Sequence, residues 1–148
     1  MAIPSLMTTG LLPPGIHLCS ADEIRTRFGS FQGSDRRPNL IRKFEAFLVE
    51  VRASGIIRAV IVNGSFVTSR ELPNDIDLLL VLARGHDFRA DLGPAQYLVV
   101  SRRRVKRVYG LDVFAVEEDS EDYAALVRLF QRVRLQPSLT KGILRIEL

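Results

Sequence analysis

The segment Ile76 to Leu82 constrains the fold most, because apart from Asp77 it is apolar at both odd and even positions. Successive side chains of a strand point to opposite faces of a sheet, so both faces of this strand must be covered. Such a strand is typical of the middle of a sheet that carries helices on its faces. The longest uninterrupted apolar run, Leu78 to Ala83, is far shorter than the roughly 18 residues of a membrane-spanning helix. We therefore expect no membrane segment.

Three further segments have strand character. Ile56 to Val62 and Leu111 to Val116 are short, apolar and rich in β-branched residues, and they precede and follow the apolar strand along the chain. Ile143 to Leu148 alternates apolar with charged side chains, which indicates an edge strand. Residues 1–19 contain a Leu-Pro-Pro-Gly sequence that forbids helix, so an irregular N-terminal arm is expected there.

Helical periodicity and capping residues predict helices in the segments before and between these strands. Helices are predicted from Ser20 to about Phe28, from Pro38 to about Ala53, from Pro94 to about Val108 and from Ser120 to about Arg134. Ser20 and Glu23 match a capping box, and Gly29 is expected to end that helix in the left-handed conformation. The stretch Tyr97 to Val100 would suit a strand equally well. A chain of 148 residues fits one domain with one core.

Three aspartates are expected to lie at one end of the sheet. Asp75 and Asp77 are two residues apart at the entry to the apolar strand, so both side chains point to the same face, roughly 6 to 7 Å apart. Asp112 opens the next strand and joins them if the two strands pair. Carboxylates this close either raise one pKa or recruit cations. Mg²⁺ prefers such oxygen ligands, and two ions can clamp the attacking and leaving oxygens of an in-line displacement.

A phosphate site is predicted at Gly64 and Ser65, which directly follow the strand Ile56 to Val62. Glycine lacks Cβ and lets a phosphate approach the backbone, whose N–H groups can point at it. The Ser65 hydroxyl adds a donor. A triphosphate held there could reach metals held by Asp75 and Asp77.

These motifs resemble the signature of the DNA polymerase β-like nucleotidyltransferase superfamily. The resemblance rests on Asn63-Gly64-Ser65-Phe66, on Asn74-Asp75-Ile76-Asp77-Leu78-Leu79 after a spacing of nine residues between Ser65 and Asp75, and on Leu111-Asp112-Val113-Phe114. The motifs cover about residues 56–116, and the flanking segments loosely resemble those of the small stand-alone members called minimal nucleotidyltransferases. The resemblance implies an α/β (α+β) fold of one domain, with a mixed sheet flanked by helices.

The resemblance also implies an activity: transfer of a nucleoside monophosphate from an NTP such as ATP to a hydroxyl of a protein or RNA acceptor. Gly64 and Ser65 would hold the β- and γ-phosphates, and Asp75 and Asp77 would hold two Mg²⁺ ions, for which Mn²⁺ could substitute. Asp112 would bind the metal that activates the acceptor hydroxyl and would help to align or deprotonate that hydroxyl.

Two departures from the family pattern limit what can be carried over. Phe66 stands where many minimal members have a polar or basic residue, which implies weaker contact with the phosphate tail. Only 36 residues follow Asp112, whereas larger members append a helical domain that grips base and acceptor, so we do not expect that domain here. The resemblance therefore does not indicate which nucleotide or which acceptor the protein would use.

A basic run lies between the second and third strands. Five cations occupy six positions, namely Arg102, Arg103, Arg104, Lys106 and Arg107, within a chain of formal charge +4. The run is either the solvated face of a helix or an electrostatic guide for a triphosphate or an RNA backbone.

Composition and cysteine content suggest a cytoplasmic globular protein. The chain is 47% hydrophobic and 26% charged, lacks a basic n-region at its N-terminus, and has Cys19 as its single cysteine. Two alternatives to an enzyme stay open. One is a catalytically silent nucleotidyltransferase-like domain that binds a partner protein, for instance in a toxin–antitoxin pair, and the other is a nucleic-acid-binding module with structural carboxylates.

Overall fold

In the computed structural model, which describes residues 2–148, five strands form one mixed sheet in the order β1-β5-β2-β3-β4. The strands are β1 (Gly15–Leu18), β2 (Ile57–Asn63), β3 (Asp77–Leu82), β4 (Asp112–Glu117) and β5 (Gly142–Glu147). The outer pairs β1–β5 and β3–β4 are parallel, whereas β5–β2 and β2–β3 are antiparallel. The expected mixed sheet of an α+β fold is confirmed.

Five helices cover the two faces of this sheet. They are α1 (Ala21–Phe28), α2 (Arg36–Ser54), α3 (Pro94–Val100), α4 (Arg102–Tyr109) and α5 (Glu121–Phe130). The larger apolar cluster joins side chains of α1 to α4 to one face of the sheet, and a smaller cluster joins α5 to the other face. Within residues 2–148, no helix has the length and apolar content needed to cross a bilayer.

Strand β3 is buried as its sequence predicted. Leu78 to Leu82 are each at most 2% exposed, with alternate side chains in the two clusters. Burial of a leucine side chain stabilises the fold by about 1.5–3 kcal/mol, so this strand contributes strongly to the core. Its position between β2 and β4 fixes the end of the sheet where Asp77 begins the strand.

Two predictions about the outer strands are wrong. Residues 15–18, expected to be irregular, form the edge strand β1, and β5 lies between β1 and β2 rather than at an edge. Arg145 is the charged side chain that suggested an exposed strand. Hydrogen bonds to other side chains of the protein instead satisfy its guanidinium. It donates to Tyr123 Oη at 2.9 Å and to Glu118 Oε2 at 2.9 Å, and these bonds allow a cation on an interior strand.

The helices lie where the sequence predicts them, but three details differ. The helix predicted from Pro94 is broken at Ser101, whose backbone is extended and whose hydroxyl accepts from Arg104 N to cap α4, and the stretch that would also suit a strand is helical. α5 ends at Phe130, four residues early. Gly29 ends α1 in the right-handed region, and it is required because a Cβ there would lie 2.9 Å from Ile41 Cγ2.

Candidate functional site

The predicted site residues lie at one end of the sheet, where β2 ends and β3 and β4 begin. Asn63 pairs with Asp77 across the antiparallel β2–β3 ladder, and Asp77 pairs with Asp112 across the parallel β3–β4 ladder. Residues directly opposite one another carry their side chains on the same face. Three oxygen-bearing side chains therefore lie side by side on the face that α5 covers further along.

Asp75 lies two residues before Asp77 and is fixed by the turn that follows β2. Its Oδ1 accepts hydrogen bonds from Ser65 N at 2.9 Å and from Ser65 Oγ at 2.8 Å. Ser65 Oγ in turn accepts from Asn74 N at 2.9 Å. The two sequence motifs are thus one hydrogen-bonded unit. Both donors of Ser65 that were expected to face a phosphate are directed to Asp75 in this state.

Gly64 is where the two motifs come closest together. Its φ of +104° lies in the region that favours glycine, and an added Cβ would lie 2.8 Å from the Asp75 carbonyl oxygen and 3.2 Å from Asp75 Oδ1. Asp75 therefore occupies the space beside Gly64 in which the sequence predicted a phosphate. Gly64 therefore allows the backbone after β2 to contact the first aspartate.

Asp77 is partly buried beside two other carboxylates, and this environment raises its pKa. Burial, followed by the neighbouring charges of Asp75 and Asp112, raises its pKa to about 6. The positive charges of Lys141 and Lys106 act in the opposite direction and lower this pKa. A concentration of negative charge with partial burial favours a bound cation, because a cation removes the repulsion between the carboxylates.

The two lysines supply positive charge to this end of the sheet. Lys106 Nζ lies 3.2 Å from Asp112 Oδ2. Burial lowers the pKa of Lys141, while Asp77 and Asp75 act to raise it. Sequence reasoning missed Lys141, because it directly precedes β5 and only the pairing of β5 with β2 brings it here. Lys106 was recognised only as part of the basic run.

Asn63 adds an unsatisfied acceptor to the site. The residue is 5% exposed, and its Oδ1 has no hydrogen-bond partner within the described part of the chain. A buried acceptor of this kind costs free energy unless a donor or a cation satisfies it. Together with carboxylates of Asp75, Asp77 and Asp112, it gives an oxygen-only set, which fits the ligand preference of Mg²⁺.

The carboxylates are not gathered into a finished metal cluster. Among residues 2–148, no three His, Cys, Asp or Glu side chains are close enough to form one. Asp75 is directed to Ser65 and Asp112 to Lys106. A cation shared by all three carboxylates would therefore require Lys106 to release Asp112.

A buried arginine supports the segment after the Gly64 turn. Arg37, 1% exposed, donates to the carbonyl oxygens of Phe66 at 2.7 Å, Thr68 at 2.8 Å and Arg70 at 2.7 Å, and its guanidinium lies 5.4 Å from the centre of the Phe66 ring. Phe66 is buried against Phe28 and does not point into the site. Sequence reasoning missed Arg37, which directly precedes the predicted start of the second helix at Pro38.

Comparison with known proteins identifies a family but no activity. The sequence model of a family described as a family of unknown function (DUF6932) matches residues 4–147. The match covers nearly the whole chain, so the protein belongs to that family. No curated protein and no solved structure matches the chain.

Proposed function

We propose that this member of the DUF6932 family is a Mg²⁺-dependent nucleotidyltransferase, which transfers a nucleoside monophosphate from an NTP to a hydroxyl of a protein or RNA acceptor. The observation that carries the proposal is the strand register that pairs Asp77 with Asp112, with Asp75 two residues upstream. The resemblance of the Gly-Ser and Asp-x-Asp motifs to the DNA polymerase β-like superfamily supports the same assignment. We further propose that the protein acts in the cytoplasm.

Each site residue has a separate role in this proposal. Asp75 and Asp77 would hold two Mg²⁺ ions, and Asp112 would share the ion nearest the acceptor. When bound, the ions would neutralise phosphate charge and lower the pKa of the attacking hydroxyl. Asp112, which pairs with Asp77 across the β3–β4 ladder, would accept the proton or orient the hydroxyl. Gly64 and Ser65 would contact the β- and γ-phosphates once Ser65 exchanges its bond to Asp75.

The first test measures transfer from each of the four NTPs. The protein is incubated with one α-labelled NTP, Mg²⁺ or Mn²⁺, and cell extract, and labelled macromolecules are separated by size. We expect one macromolecule to become labelled by wild type but not by Asp75→Asn/Asp77→Asn. The control, Asp35→Asn/Asp91→Asn, removes two exposed carboxylates that form no ion pair within residues 2–148, and it should label as wild type does.

A catalytically silent, partner-binding domain is the second candidate, for example one component of a toxin–antitoxin pair. Two contacts favour it, since Ser65 already satisfies Asp75 and Lys106 already satisfies Asp112 without a metal. The same incubation separates the candidates. Absence of labelling with all four nucleotides and both metals would reject the enzyme and leave the silent domain.

A further inference from the structure

The exposed face of α4 carries four cations in two adjacent rows. Arg102 and Lys106 are four residues apart, as are Arg103 and Arg107, so each pair occupies neighbouring turns of one side of the helix. All four side chains are exposed, whereas Val105 on the opposite side is buried in the core. We call these four residues the α4 basic face.

Most of this charge has no acidic partner inside the protein. Within residues 2–148, no ion pair includes Arg102, Arg103 or Arg107, although the neighbouring Arg104 pairs with Glu50 at 2.7 Å. Like charges four residues apart destabilise a helix, and cations in the first turn oppose its dipole. The arrangement therefore costs stability in the isolated protein, and an external polyanion would remove that cost.

The α4 basic face is continuous with the carboxylate site. Lys106 belongs to the same row as Arg102, and its Nζ lies 3.2 Å from Asp112 Oδ2. Arg102 crosses the edge of the sheet, and its guanidinium lies 4.2 Å from the centre of the Phe114 ring. Phe114 is two residues after Asp112 on the same strand, so its side chain lies on the same face. A chain of phosphates along α4 would thus lead directly to Asp112.

We propose that the α4 basic face binds the phosphate backbone of single-stranded RNA and brings an RNA hydroxyl to Asp112, an inference that rests on the function proposed above. Three features favour RNA over an acidic protein. Arginine forks match phosphate geometry bidentately. The stacked Arg102–Phe114 pair resembles the aromatic and arginine platforms on which unpaired bases stack. RNA also supplies regularly spaced charges and acceptor hydroxyls in one molecule.

The test measures RNA binding without catalysis. Fluorescence anisotropy of a labelled oligouridine is recorded with EDTA and no NTP, at several salt concentrations. We expect wild-type affinity to fall steeply with salt. The variant Arg103→Glu/Arg107→Glu should bind about tenfold more weakly, with a salt slope shallower by roughly 1.4, since each phosphate contact on a single strand contributes about 0.7.

A matched charge reversal controls for net charge. Arg52→Glu/Arg58→Glu changes two exposed arginines at the opposite end of the sheet and should keep affinity within about twofold of wild type. Equal losses in the two variants, or no binding by wild type, would overturn the proposal. So would polyglutamate that competes as well as unlabelled RNA, since the partner would then be an acidic protein.

A further variant separates this inference from the proposed function. Asp75→Asn/Asp77→Asn should bind the oligouridine as tightly as wild type, because these carboxylates lie outside the α4 basic face. If RNA binding holds but no nucleotide is transferred in the labelling experiment, the enzyme proposal fails and the RNA surface stands. If transfer occurs to a protein and RNA does not bind, the surface assignment fails alone.

Discussion

At the scale of single residues, the site depends on contacts between the Gly64 turn and the Asp-x-Asp segment. Ser65 donates twice to Asp75, and Gly64 leaves room for the Asp75 backbone. These contacts fix the first carboxylate before any ligand arrives. Pre-positioning of this kind reduces the entropy that must be lost when a ligand binds.

Replacing Gly64 tests how much this close approach contributes to stability. Gly64→Ala combines an unfavourable φ of +104° with a Cβ contact of 2.8 Å to Asp75 O, whereas the control Gly85→Ala has a φ of +80° and no atom within 4 Å. We expect Gly85→Ala to lower the free energy of unfolding by roughly 1–2 kcal/mol, the cost of the left-handed backbone alone. Gly64→Ala should lower it further in urea denaturation. Equal losses would contradict the packing role of Gly64.

The raised pKa of Asp77 predicts a dependence of stability on pH. Its pKa is about 6 in the folded protein, mainly through burial, against 3.8 for an ordinary aspartate. Between these values the native state holds more protons than the unfolded state, so the free energy of unfolding falls as pH rises through this window. Asp77→Asn removes this contribution.

Urea denaturation at several pH values tests this prediction. The variant should become progressively more stable than wild type from about pH 4 to pH 6, and the difference should stay constant above that range. A difference that does not change with pH would contradict the account of Asp77. Added Mg²⁺ should reduce the difference above pH 6 by stabilising wild type, because a bound cation offsets the repulsion.

At the scale of secondary-structure elements, α4 is attached to α2 by a half-buried polar network. Glu50 on α2 accepts from Arg104 Nη1 at 2.7 and 2.8 Å and from Tyr109 Oη at 2.6 Å. The hydrogen bond from Arg104 lowers the pKa of Glu50. This network uses one arginine of the basic run, whereas Arg103 beside it faces solvent. The run therefore contains both structural and unpartnered cations.

Two single substitutions separate these two kinds of arginine. Arg104→Met should lower the free energy of unfolding by roughly 1.5–3 kcal/mol, because Glu50 loses its charged donor. Arg103→Met should change it by less than about 0.5 kcal/mol, as is usual for an exposed side chain. Chemical denaturation of both variants at neutral pH provides the comparison. If Arg103→Met were the more destabilising, the division of the run into structural and free cations would be wrong.

At the scale of the whole molecule, the site combines segments that are far apart in the sequence. The local part could be predicted, since the buried strand, the spacing of Asp75 from Ser65 and the strand-borne Asp112 are all sequence patterns. The contacts between segments far apart in the sequence could not be predicted. Lys141 reaches the site only because β5 pairs beside β2, and short strands such as β1 carry too few residues to reveal such pairing.

The same limit explains why Arg37 was missed. Its hydrogen bonds go to carbonyl oxygens of Phe28 and of the segment from Phe66 to Arg70, so no acidic side chain in the sequence indicates its burial. Backbone acceptors have no residue-type signature. The support of the Gly64 turn therefore became visible only with the fold.

Nucleotidyl transfer by the three aspartates differs from other reactions of an NTP in the fate of the α-phosphate. The protein is incubated with Mg²⁺, cell extract and ATP labelled at either the α- or the γ-phosphate, and the identical experiment is repeated with the other NTPs. We expect one NTP to transfer its α-label to a macromolecule, its γ-label to leave with pyrophosphate, and Asp75→Asn/Asp77→Asn to transfer neither. Transfer of the γ-label alone, or α-label transfer that persists in this variant, would rule out nucleotidyl transfer by these aspartates.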